Sequence, residues 1–345
     1  DTVITKAAVP AEDWDWDDGR NFFADMNGDG LDDFVYFGDK KNLYVAHATG
    51  DGKFGALLQI PEEHFGEISL VALARWPGPP GSTPCARGFR SQLVTATTSA
   101  IQAGYESADI TIRLHDGKNE RMFGFKLSGV AWQSLKSIDT GAHFSAIGDA
   151  LIVRRRAHAG DTGAVALVPP DPVGGFLIGE VKTWTLPSAD YAEVPFFVAD
   201  IDGDGGVELI ADMGANLHVF SAIPGPIPWS STPILRAVPA GCTFDSGARI
   251  VLSDVTGDGK ADLVCVNGKE TGLLVMPGTN TTDLGGPVQT PFEISGYRTD
   301  SVQRHPWRDA IIADLDGDGL RDYVTFFDNA LWFKLNDAKG VTKPT

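Results

Sequence analysis

The sequence predicts an all-β fold of repeated four-stranded antiparallel units, and three observations predict it. One acidic loop occurs four times between short apolar runs, turn residues are frequent, and helix punctuation is scarce. The loops read Asp25-x-Asn27-x-Asp29-Gly30-x-x-Asp33, Asp200-x-Asp202-x-Asp204-Gly205-x-x-Glu208, Asp254-x-Thr256-x-Asp258-Gly259-x-x-Asp262 and Asp314-x-Asp316-x-Asp318-Gly319-x-x-Asp322. Phe22-Phe23-Ala24, Phe196-Phe197-Val198, Ile250-Val251-Leu252 and Ala310-Ile311-Ile312 precede them. Phe34-Val35-Tyr36-Phe37, Leu209-Ile210, Leu263-Val264-Cys265-Val266 and Tyr323-Val324-Thr325-Phe326 follow. Short β-branched and aromatic runs bounded by Gly and Asp read as strands. The 40 Gly and 21 Pro among 345 residues mark the turns between them.

Within each loop, positions 1, 3 and 5 project oxygens to one side of a tight turn. The Gly at position 6 permits the bend, and position 9 returns a further carboxylate. The carbonyl of position 7 (Leu31, Gly206, Lys260, Leu320) is the natural backbone ligand. Hard oxygen donors gathered in one short loop suit Ca²⁺, which takes 6–8 oxygens in flexible geometry. About four Ca²⁺ per chain are therefore expected, one per loop. Without a cation, clustered carboxylates repel one another. An EF-hand is excluded, because it needs helical flanks and a bidentate Glu at position 12. Position 12 here is Tyr36, Ala211, Cys265 and Thr325.

Spacing sets the architecture. First ligands fall at 25, 200, 254 and 314, so the last two intervals are 54 and 60 residues and the first is 175. That long gap divides into three intervals of about 58, which predicts two repeats without the loop. In the first of these, Ile68 to Leu73, Gln92 to Thr95, Asp109 to Leu114 and Arg121 to Leu127 read as strands. In the second, Phe144 to Ile147, Ala150 to Arg154, Ala164 to Val168 and Phe176 to Leu186 do so, with Gly148-Asp149 as a two-residue hairpin turn. Intact repeats place a third strand at Leu43, Leu217, Leu273 and Leu331, and a fourth at Phe54, Pro233 and Pro287. The expected fold is one six-bladed β-propeller of four-stranded antiparallel blades, with a seven-bladed ring as the alternative. Its repeats lie near 8–62, 63–130, 131–187, 188–240, 241–300 and 301–345, and an N-terminal strand at 2–6 closes the last blade.

A formal charge of −18 argues against nucleic acid and against an anionic membrane surface. No apolar run approaches the roughly 20 residues that span a bilayer. Fourteen of the side chains at loop positions 1, 3, 5 and 9 are Asp or Glu, and bound Ca²⁺ would offset much of that charge. Of three Cys, Cys242 and Cys265 flank one inner strand and are placed either to bridge or to remain buried thiols. Cys85, in a Pro/Gly-rich insert, is the candidate exposed thiol for a homodimer. Asn280-Thr281-Thr282 is a glycosylation sequon in a polar turn. The start at Asp1 is not a signal peptide, which reads as a trimmed product. Together these features point to a secreted, extracellular protein.

Blade 1, Phe23-Ala24-Asp25-Met26-Asn27-Gly28-Asp29-Gly30-Leu31-Asp32-Asp33-Phe34 followed by Thr49-Gly50-Asp51-Gly52-Lys53-Phe54-Gly55, resembles the FG-GAP/VCBS calcium-propeller family. The resemblance covers four of six repeats and implies fold and Ca²⁺ loops rather than one function. The freestanding six-repeat chain is also similar to the propeller lectins of mushrooms, most of all those of the oyster mushroom (Pleurotus). That likeness implies galactose/N-acetylgalactosamine-type recognition, with glycans or glycoproteins as partners.

Aromatic residues at the entries to the inner strands are the candidate sugar platforms. Trp16, Tyr191, Phe244 and Trp307 precede their first ligands by 9, 9, 10 and 7 residues, and Trp76 and Trp229 lie in Pro-rich loops. Their faces could stack on a sugar's apolar side or pack between blades. No enzyme is expected. The seven His show no metal-pair spacing, and no G-x-S-x-G elbow occurs. The rival readings are a propeller polysaccharide lyase or hydrolase, with Arg154-Arg155-Arg156 holding an acidic sugar, and an integrin-like protein-adhesion module.

Overall fold

The computed structural model describes residues 5–8, 21–38, 42–50, 53–60, 70–76, 90–96, 107–115, 120–128, 135–145, 148–155, 162–169, 181–192, 194–224, 228–239, 242, 249–266, 272–281, 284–291, 311–318, 320–327 and 330–336. Among them the chain is all-β, broken by one 3-10 turn at Ala189–Ala192. Strand β1 (Thr5–Ala8) comes first. A four-stranded sheet follows, made of β2 (Asn21–Ala24), β3 (Asp33–Gly38), β4 (Asn42–Ala48) and β5 (Phe54–Ile60). Two hairpins come next, β6 (Leu70–Trp76) with β7 (Arg90–Ala96), and β8 (Ser107–His115) with β9 (Glu120–Ser128). They lie where the sequence predicts a four-stranded repeat, and each forms its own two-stranded sheet.

Three further four-stranded sheets follow in chain order. The first is β10 (Leu135–Ser145), β11 (Gly148–Arg155), β12 (Ala164–Val168) and β13 (Lys182–Thr185). The second is β14 (Phe196–Ala199), β15 (Glu208–Asp212), β16 (Asn216–Phe220) and β17 (Ile234–Ala237). The third is β18 (Arg249–Ser253), β19 (Asp262–Val266), β20 (Gly272–Met276) and β21 (Val288–Pro291). Strands β22 (Ile311–Ala313), β23 (Asp322–Phe327) and β24 (Ala330–Lys334) form the last sheet, with β1 on its outer edge. Thr5 lies opposite Phe333 and Ala8 opposite Ala330, so the two ends of the chain share one antiparallel sheet.

Alternation along the second strands shows how the sheets stack. Leu209 and Ala211 of β15 pack with Ile152, Leu167 and Trp184 of the sheet before, while Ile210 packs with Leu263 and Cys265 of the sheet after. Side chains on a strand point alternately to opposite faces, so an apolar residue at every position needs a neighbour on both sides. All five residues of β15 are buried, and so are all five of β12. The same logic repeats at β23. Tyr323 packs with Val264 and Val275 on one side, and Val324 with Phe34 and Tyr36 on the other. Fourth strands alternate instead, as in β17, where Ile234 and Arg236 are half-buried and Leu235 and Ala237 exposed. Each fully buried Leu, Ile, Val or Phe contributes about 1.5–3 kcal/mol, so the stabilisation resides between sheets. First strands touch in series: β6 against β10, β10 against β14, β14 against β18, β18 against β22 and β22 against β2. Sheets radiating from a row of inner strands make a β-propeller.

Three expectations change. Gly148-Asp149 is not a turn. It opens β11, with Gly148 opposite Ser145, because the first strand of that sheet runs from Leu135 to Ser145 rather than from Phe144. Within the described residues the closing strand is Thr5–Ala8, and residues 2–4 of the expected 2–6 lie outside them. Trp76 ends β6, paired with Arg90, instead of lying in the following loop. Cys242 and Cys265 form a disulfide with Cα atoms 5.7 Å apart, which decides between the bridged and the free-thiol alternatives.

Candidate metal centres

The four acidic loops join first to second strands, β2 to β3, β14 to β15, β18 to β19 and β22 to β23. Their conformation follows from side chains that bind their own backbone. Asp25 Oδ1 accepts the Gly28 N–H at 2.5 Å and its Oδ2 accepts Gly30 N–H at 2.9 Å. Asp200 does the same with Gly203 and Gly205, and Asp254 with Gly257 and Gly259. Asp314 accepts from Gly317. Position 5 then accepts the N–H of position 7, as in Asp29 to Leu31, Asp204 to Gly206, Asp258 to Lys260 and Asp318 to Leu320. Short polar side chains that bond to the backbone a few residues on favour turns. Here they wrap the chain round a set of convergent oxygens.

Position 9 opens the second strand and is buried in every loop: Asp33, Glu208, Asp262 and Asp322. Its oxygens tie the loop to the third strand. Asp322 Oδ2 accepts Leu315 N–H at 2.7 Å and Oδ1 accepts Asn336 N–H at 2.8 Å. Asp262 bonds Val255, Thr256 and Gly278, Glu208 bonds Ile201 and Ala222, and Asp33 bonds Met26 and Ala48. Position 2 (Met26, Ile201, Val255, Leu315) is the apolar anchor beneath each loop.

Oxygen donors of Asp200, Asp202 and Glu208 all lie within 4.8 Å of one another, as do those of Asp314, Asp316 and Asp322. Burial pushes the carboxyls of Glu208 and Asp322 up to about 7, and those of Asp25 and Asp262 up to about 6. Asp33, Asp202 and Asp316 are raised for the same reason. Thr256 Oγ1, at position 3 of the third loop, is buried and has no hydrogen-bond partner among the described residues. Desolvated carboxylates in each loop, joined in the third by an orphaned hydroxyl, are what a hard cation would satisfy.

The loops are not identical. In the third, Lys260 Nζ lies 2.6 Å from Asp258 Oδ2, an internal cation among the acids. In the first, Asn27 Nδ2 donates to Asp29 Oδ2 at 2.9 Å, and His47 Nδ1 lies 3.0 Å from Asp33 Oδ2. Adjacent loops also touch. Asp32 N–H donates to the Asp314 carbonyl at 2.7 Å and Ala261 N–H to the Asp200 carbonyl at 2.8 Å.

No family model matches the chain, and no curated protein matches it. Among solved structures, a lectin of Agrocybe aegerita is similar at 18% identity with a TM-score of 0.54, covering 94% of this chain and 78% of that one. That lectin's structure concerns specific recognition of non-reducing terminal N-acetylglucosamine. The Tc holotoxin pore of Photorhabdus luminescens matches at 17% identity and TM-score 0.56, over 96% of this chain but 14% of the toxin chain. BBS1N in complex with ARL6DN matches at 11% identity and TM-score 0.50, over 96% and 95%. At these identities the likeness is one of fold. The fold is shared with a mushroom lectin.

Two of the six candidate sugar platforms are withdrawn by the structure. Trp229 is 1% exposed, donates Nε1–H to the Val207 carbonyl and stands edge-on to Trp184. Tyr191 is buried against Phe220 with its hydroxyl 2.7 Å from His218 Nδ1. Neither offers an open ring face. Trp16, Phe244 and Trp307, with Cys85, lie outside the described residues, as does the side chain of Trp76. Arg154 is buried, its guanidinium 5.0 Å from the Phe196 ring centre and donating to the Val194 carbonyl, so it packs between sheets. Asn280 is exposed in a bend, open to a glycan.

Sequence reading passed over the glycine at position 4. Gly28, Gly203, Gly257 and Gly317 all adopt positive φ, from 73° to 82°. Recurrence in all four copies was the available signal.

Proposed function

We propose that the chain is a secreted, calcium-containing carbohydrate-binding protein without catalytic turnover. The observation that carries the reading is the similarity to the Agrocybe aegerita lectin along 94% of this chain. The loops' all-oxygen donor sets and the orphaned Thr256 hydroxyl support Ca²⁺ as the ion, about four per chain. Ligands would be Asp25, Asn27, Asp29 and Asp33 in the first loop and their counterparts in the other three. The ion's role is structural, neutralising buried carboxylates between strands. The disulfide and the exposed sequon support an oxidising, extracellular setting.

The sugar class follows two leads. Resemblance to oyster-mushroom lectins favours galactose or N-acetylgalactosamine, whereas the structural neighbour recognises terminal N-acetylglucosamine. Trp16, Phe244, Trp307 and Trp76 are the remaining aromatic platforms, and a six-bladed ring would repeat them. Several weak sites raise apparent affinity by 10²–10⁴ through avidity, and a homodimer through Cys85 would add to it. A glycan array probed with and without chelator tests the reading. Hexose-specific hits support it, and an array blank for every terminal hexose overturns it. The fold shared with BBS1N, seen in complex with ARL6DN, favours a protein partner as the second reading, and protein-only capture would select it.

A further inference from the structure

We propose that Asp32 clasps the fourth loop to the first, so that calcium in either loop raises the affinity of the other. This rests on the reading of the loops as calcium sites. Asp32 stands at position 8 of the first loop, between the position-7 residue Leu31 and the buried Asp33. It holds both backbone groups of Asp314, the first ligand of the fourth loop. Asp32 N–H donates to the Asp314 carbonyl at 2.7 Å, and Asp314 N–H donates to Asp32 Oδ2 at 2.8 Å. The same oxygen accepts from Arg321 Nη1 at 2.5 Å, and Arg321 is itself the neighbour of Asp322. Leu31 completes the contact by lying over Gly317, where a Cβ would come within 2.8 Å of its Cδ2.

The junction of the second and third loops lacks this reinforcement. Between the second and third loops, Ala261 N–H reaches the Asp200 carbonyl, but alanine has no carboxylate to return the bond. Position 8 is Asp32, Val207, Ala261 and Arg321 in the four loops, so an acid meets a base only where the first loop meets the fourth. An ion drawing Asp314 inward therefore also fixes Asp32, and with it Leu31 and Asp33. Ordering one loop lowers the ordering cost of the other, which is positive cooperativity. The coupled loops belong to β2–β3, in the sheet that follows β1 in the chain, and to β22–β23, in the sheet that β1 and β24 share. Calcium would in this way close the seam.

The test is calcium titration of the full chain by equilibrium dialysis with metal analysis. Asp25→Asn disables the first loop while leaving Asp32 in place. It should remove one ion and shift the midpoint of a second by about fivefold or more. In an Asp32→Ala background the same change should remove one ion only. Loss of a single ion with unchanged remaining midpoints in both backgrounds overturns the clasp and leaves the calcium sites standing. A wild-type chain that binds no calcium overturns both. If Asp32→Ala fails to fold, Arg321→Gln removes only the charge partner. It should weaken the coupling, and undiminished coupling counts against the clasp.

Discussion

Leu320 of the fourth loop lies over Gly257 of the third, where a Cβ would sit 2.7 Å from Leu320 Cδ2. The relationship recurs between neighbours: Leu31 covers Gly317, and Lys260 covers Gly203. Position 7 of the first, third and fourth loops thus packs on position 4 of a neighbouring loop. Neighbouring loops are thereby linked in series, and at Gly257 and Gly317 glycine leaves room for that contact as well as allowing the positive φ.

Gly257→Ala is therefore expected to cost more than Gly259→Ala. Both residues have positive φ, which costs alanine about 1–2 kcal/mol. Only Gly257 adds a clash, which pushes the end of the Leu320 side chain off its rotamer at about 0.5–1.5 kcal/mol, since a Cβ on Gly259 meets nothing within 4 Å. Thermal melting in calcium ranks the pair, and equal losses would remove the packing argument.

Asp322→Ala should destabilise the chain even in chelator. Two N–H groups, of Leu315 and Asn336, lose their acceptor in a buried setting, at about 1–3 kcal/mol each. Asp318→Ala, at an exposed position, should change metal-free stability by less than about 1 kcal/mol. Denaturant unfolding in chelator separates them, and equal effects would mean position 9 acts only as a ligand.

Metal-free protein should lose stability as pH rises from about 4 to about 7. Buried Glu208 and Asp322 hold their protons up to about 7 and Asp25 and Asp262 up to about 6, whereas the unfolded chain releases them near 4. Across that window the folded state binds more protons, so the slope of stability against pH is negative. Saturating calcium replaces those protons and should abolish the fall. A metal-free melting temperature that climbs from pH 4.5 to 7.5 would contradict the assignment.

Strands and loops were legible because both rest on local pattern: short β-branched and aromatic runs and a nine-residue acid repeat. What escaped was long-range or register-dependent. The bond between Asp32 and Arg321 joins residues 289 apart, and no local pattern pairs them. Gly148-Asp149 suits a turn by composition, yet the long β10 shifts the hairpin upstream. Tyr191 and Trp229 fit either a sugar platform or packing between blades from their flanks alone. Whether an aromatic faces solvent or the next sheet depends on the stacking of sheets, which residue type does not encode.

Thiol titration of the denatured, unreduced chain should find one free thiol, that of Cys85, and three after reduction. Cys242 and Cys265 supply the difference. Reducing that bridge should cost about 2–4 kcal/mol of stability. No free thiol before reduction, with a dimer on a non-reducing gel, would place Cys85 in an intermolecular bridge. Three free thiols before reduction would contradict the pairing.

Metal analysis of the folded chain, freed of loose ions, tests most directly the claim that the acidic loops are calcium sites holding the sheets together. The expected content is about four Ca²⁺ per chain. Each ion adds about 2.7 kcal/mol at a hundredfold excess over its Kd, so chelation should lower the melting temperature by many degrees. Fewer than three Ca²⁺ per chain, or a melting temperature indifferent to chelator, would contradict it.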